Sequence, residues 1–200
     1  MKKSLSCPES GAIDKQLPPR QRILAAARAL FAEHGIRAVG VESIAEAAGS
    51  NKMTLYRHFA SKDALVAAHL QALAVEADAY WDRIVEGHPG DPRAQLNAWL
   101  AAIGQGLATG RGCPLSNAAV ELPEKDHPAR PIIEAHKRGS RNQLVDLCRA
   151  IGVTSPELLA DELFLLIEGA RVSAQSVGPN GPGAQFMRMA EVLIQAHTAR

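Results

Sequence analysis

Between Lys52 and His58 the chain gathers Lys52, Met53, Thr54, Tyr56, Arg57 and His58 around a single Leu55. Two cations, two hydroxyls and an imidazole within two helical turns suit hydrogen bonding to phosphates and to base edges. Lys52 can donate to guanine O6/N7 or to a phosphate. Thr54 can touch a base edge or a thymine methyl, Met53 offers apolar contact only, and Arg57 can serve a base or a phosphate. Lys62 adds a cation where the free N–H groups of a helix start also favour a phosphate. Taken singly, Tyr56 packs as readily as it binds, and His58 and Lys62 are ordinary solvated residues. Their spacing sets them on one side of a helix.

The flanking residues explain how such a helix is held. Ile44, Ala45 and Ala48 recur at helical spacing, Gly49 supplies the positive φ of a tight turn, and Leu55 and Phe59 face back to a core. Ala45 is small enough for close approach of a second helix, and Asn51 is a good N-cap for it. Residues 41–59 therefore read as a helix-turn-helix, with the second helix aimed at the major groove.

Five blocks run in order: ILAAA at 23–27, LFAEHG at 30–35, ESIAEAAG at 42–49, TLYRHF at 54–59 and SKDAL at 61–65. Together they resemble the N-terminal domain of the TetR/AcrR-type bacterial transcriptional regulators. The resemblance implies an all-α chain of about nine helices, with a three-helix reading head and a larger helical body. It also implies a homodimer on a palindromic double-stranded operator, whose half-sites lie about 34–36 Å apart or a multiple of that. A small-molecule effector in the body is implied, as is repression; no cofactor and no metal are. Tyr56 and His58 match the family's backbone-contacting residues, whereas Met53 stands where members often have Gly. Helices 8 and 9 are implied to pair across the dimer, with Leu158, Leu159, Leu163, Leu166, Phe186, Leu193 and Ile194 as candidates. The same residues suit the monomer's own core equally well.

Composition agrees with helices: 46% hydrophobic residues, only 4% aromatic. The net charge of +1 is uneven, +4 over residues 1–63 and −3 over 64–200. A basic head on an acidic body suits nucleic-acid binding by the head. Residues 1–17 read as a disordered tail, 18–63 as the head, and 64–200 as the effector-binding and dimerising body. No apolar run reaches membrane length, and no h-region marks a signal peptide, so a cytoplasmic protein without membrane attachment is expected. Three cysteines fit a reduced compartment.

In the body, Trp81, Trp99, Ile103, Leu107, Cys113 and Phe164 are candidate pocket residues, though core packing suits the aromatic and aliphatic ones as well. Few charges fall among them, which favours an apolar or weakly polar ligand. Cys113 precedes Pro114 at a helix start with Arg111 nearby, a setting that lowers a thiol's pKa. A thiol sensor acting through Cys113 is therefore the second reading, against a buried structural Cys. The Gly-Pro run at 178–183 reads as a flexible loop. An enzyme lacks support: there is no GxSxG elbow, and His127 and His136 lie nine apart without clustered Glu or Cys.

Overall fold

The computed structural model describes residues 16–198, so the expected tail at 1–17 lies almost wholly outside the described residues. Within them the chain is all-helical: α1 (Pro19–His34), α2 (Val41–Ala47), α3 (Lys52–His58), α4 (Lys62–Gly87), α5 (Pro92–Leu107), α6 (Pro114–Glu121), α7 (Arg130–Ile151), α8 (Pro156–Val177) and α9 (Phe186–His197). Four of these, α1, α5, α6 and α8, begin with proline, whose missing N–H costs nothing in a first turn. Side-chain caps fix two other starts, α3 and α4, and reinforce that of α5. Asn51 accepts from Thr54 N at 2.8 Å, Ser61 from Ala64 N at 3.0 Å and Asp91 from Ala94 N at 2.9 Å.

The chain divides into two compact units. The first runs to His69 and includes Asp126–Ala129; the second comprises Leu70–Lys125 with Arg130 onward. The division falls inside α4 rather than at its start. In the first unit Ile23, Ala26, Ala27 and Phe31 of α1 close on Ile44, Leu55, Leu65 and Val66, all buried. His69 is buried there too, its ring tilted against Phe31 at 5.4 Å.

The second unit is built around α5, α7, α8 and α9, whose Leu96, Leu100, Leu144, Leu159, Leu163, Ile167, Phe186 and Ile194 form one core. Four dimer candidates, Leu159, Leu163, Phe186 and Ile194, are thus fully enclosed by their own chain, and Leu166 and Leu193 pack partly against the same core. Leu158 alone of the seven candidates is exposed, and the other large apolar side chains that α8 and α9 leave in solvent are not among them: Leu165, Val172 and Val177 on α8, and Met187, Met189 and Val192 on α9. Helical periodicity marks an apolar face but cannot choose between two faces of one helix.

The run at 178–183 is also more ordered than its composition suggests. Pro182 opens a 3₁₀ turn, Pro182–Gln185, and Gly183 is buried with the space for a Cβ only 3.4 Å from Ala170 O. That glycine is there for close backbone approach as well as for freedom. Among the described residues no helix is long and apolar enough to cross a membrane.

Candidate functional site

The turn between α2 and α3 is a Schellman closure. Ser50 N donates to Ala45 O and Gly49 N to Glu46 O, both at 2.9 Å, with Gly49 at φ 58°. Leu55 is wholly buried and Phe59 nearly so, with the Arg20 guanidinium 5.0 Å from the Phe59 ring centroid. These contacts fix which side of α3 faces out. Met53 is 77% exposed and Tyr56 42% exposed, beside exposed Arg57 and His58 and half-buried Thr54. Among the described residues the side chains of Tyr56, Arg57 and His58 have no hydrogen-bond or ion-pair partner. The sequence-read face is one surface.

Two of its members are engaged within the protein. Lys52 Nζ donates to Glu42 Oε1 at 2.5 Å across the turn. That hydrogen bond holds the Glu42 carboxyl below its ordinary pKa and Lys52 above. Lys62 does not simply project towards a phosphate. Its ammonium donates to Ile36 O at 2.7 Å, capping the α1–α2 connection from α4. Nothing in the local sequence announces a bond spanning 26 residues.

In the body the six pocket candidates divide. Trp81 and Trp99 meet edge-on at 5.7 Å and, with Ile103 and Phe164, edge the core. Leu107 alone of the six lines a cleft of about 340 Å³, shared with Gly104, Phe186 and Met187. Cys113 and Phe164 adjoin a charged cluster that sequence reasoning missed. Lys137 Nζ of α7 lies 2.8 Å from Glu168 Oε1 of α8, 3.7 Å from Cys113 Sγ and 5.8 Å from the Phe164 ring centroid. Ser116 Oγ donates to Glu168 Oε2 at 2.6 Å, and Arg171 Nη1 to Glu168 Oε1 at 3.3 Å.

Burial raises the Cys113 thiol, but Arg171 and Lys137 outweigh it and hold the pKa below its ordinary value. The cations that matter come from α7 and α8, not from Arg111, whose carbonyl instead accepts from Asn117 and Gln175. Cys148 is the contrast: burial without cations pushes it up to about 11.

A short helix clamped by Leu55 and Phe59, presenting an open polar face beyond a Gly-closed turn, defines a helix-turn-helix DNA-binding regulator. The family model for bacterial regulatory proteins of the tetR family matches residues 23–69. The chain is 49% identical over 167 residues to the transcriptional repressor KstR2 of Mycobacterium tuberculosis, covering 82% of this chain and 83% of that one. It is 28% identical over 186 residues to the repressor DhaR of a Mycobacterium species, covering 85% and 89%. A TetR-family regulator from Streptomyces coelicolor superposes with a TM-score of 0.84 at 26% identity, over 90% of this chain and 96% of that one. The chain belongs to the TetR family of transcriptional regulators.

Proposed function

We propose that the protein is a cytoplasmic homodimeric repressor, bound to a palindromic operator and released from it by a small-molecule effector held in the body. The observation that carries this reading is the unpartnered outward face of α3, Tyr56, Arg57 and His58, on a head whose core is otherwise closed. The relatives KstR2 and DhaR are named repressors, which supports the sign of regulation. A second copy of the chain is supported by the apolar side chains α8 leaves in solvent, Leu158, Leu165 and Val172, spaced seven apart on one helix face. Release needs only a ligand that favours one of two head spacings by about 1–3 kcal/mol. A gel shift on the DNA flanking the protein's own gene tests the reading. One discrete, steeply salt-dependent complex is expected; uniform weak binding to any fragment would count against it.

A second reading is favoured by the cations around Cys113. A thiolate held by Lys137 and Arg171 can attack one oxygen of hydrogen peroxide, giving a sulfenic acid and hydroxide. Peroxide is then expected to release the operator from the wild type at doses that leave Cys113→Ser bound. Equal release of both proteins removes the thiol from the mechanism.

A further inference from the structure

The Lys137–Glu168–Arg171 cluster has more to offer than an ion pair tying helices together. We propose that Lys137 and Arg171 seat the anionic end of a ligand within the body, and that this ligand is a monocarboxylate with an apolar tail. The proposal rests on the effector reading above and names the chemistry of that effector.

Two cations share one carboxylate, and both Glu168 oxygens are already engaged: Oε1 accepts from Lys137 and Arg171, and Oε2 from Ser116. Arg171 is not saturated. Its one bond is from Nη1, at 3.3 Å, which leaves Nε and Nη2 without partners among the described residues. A half-used guanidinium is the group best shaped for a two-point grip on a carboxylate. The side chains of Lys137, Glu168 and Arg171 remain 20–26% exposed, so the cluster is screened but reachable.

A third polar group lies within the field of the same cluster. His136 Nδ1 is buried with no hydrogen-bond partner. Burial holds this imidazole below its ordinary pKa, as does the Lys137 charge, so at neutral pH it can donate or accept without adding charge. A stability role alone does not explain the orphaned imidazole nitrogen, because a buried polar group left unpaired costs free energy, while Arg171, a quarter exposed, keeps its free N–H groups available to solvent or a ligand. The net charge selects the ligand's own. With Cys113 as the thiol, Lys137 and Arg171 against Glu168 leave one positive charge among the bonded groups, which a monoanion balances; Asp78, whose field also reaches His136, further disfavours a phosphate dianion. Phe164, beneath the Lys137 ammonium and edging the core, gives the tail an apolar wall. This revises the expectation of an apolar or weakly polar ligand, because the charged side chains near Phe164 are distant in sequence.

The test uses the full-length protein with octanoate, octyl phosphate and octanol, read by calorimetry and by operator gel shift. Octanoate is expected to bind, octanol to bind at least tenfold more weakly, and Arg171→Gln to lose octanoate at least tenfold. Arg171→Lys, which keeps the charge but not the fork, should fall between. Where Arg171→Gln fails to show native circular dichroism, Lys137→Met takes its place with the same expectation. Octanol binding as well as octanoate, tighter binding of octyl phosphate, or retention of octanoate by a folded variant would each overturn the carboxylate seat. Arg171-dependent binding that leaves the operator complex intact upholds the seat and sinks the effector reading. Operator release by octanol alone does the reverse.

Discussion

Replacing Leu55 with alanine is expected to abolish operator binding by unfolding the head. Leu55 is wholly buried at the centre of α3, and its neighbours Ile44, Ala45 and Ala48 are buried with it. A Leu→Ala change in such a site costs about 2–5 kcal/mol, from lost transfer energy and the cavity left behind. A unit of this size buries a modest core, and whole-domain stability is itself only about 5–15 kcal/mol. The deletion therefore removes a large share. The two tryptophans, Trp81 and Trp99, both lie in the second unit, so fluorescence reads the body while far-ultraviolet circular dichroism reads both. In urea, Leu55→Ala should lose helical signal at lower denaturant while the fluorescence midpoint moves much less. A fluorescence midpoint that falls in step would show that head and body unfold as one cooperative unit.

The helices around that residue were legible because every local signal agreed. Pro19, Pro92, Pro114 and Pro156 mark starts, Asn51, Ser61 and Asp91 cap, and Gly35 and Gly49 stop helices at positive φ. The outward face of α3 followed from Leu55 and Phe59 pointing inward, a consequence of helical period alone. What the chain order hid is what depends on distant residues. Lys62 is held by the carbonyls of Ile36 and Arg37, 26 and 25 positions earlier in the chain, and Lys137 and Arg171 reach Cys113 from helices 24 and 58 positions away. Local reading turned instead to Arg111, the nearest cation in sequence. The enclosed Leu159, Leu163, Phe186 and Ile194 show the same limit: hydrophobicity predicts burial, but whether by the chain itself or by a partner is decided by packing.

That limit sharpens the comparison among the basic residues of the reading head. Arg57→Ala is expected to weaken operator binding more than Lys52→Ala. Lys52 already spends its charge on Glu42, so DNA must compete with an existing pair. Arg57 is exposed and unpaired among the described residues, so nothing is lost when it engages a base or a phosphate. Loss of a two-point guanine contact costs about 1–3 kcal/mol of discrimination. In the proposed dimer it is lost at both half-sites. If Arg57 instead holds a phosphate, its removal weakens all sequences alike and lowers the salt slope by about one per protomer. Binding isotherms on operator and mismatched DNA across a salt series separate these outcomes. Unchanged affinity on both DNAs would mean that α3 meets the groove with a different edge, turning Met53 and Thr54 towards the bases and Arg57 to solvent.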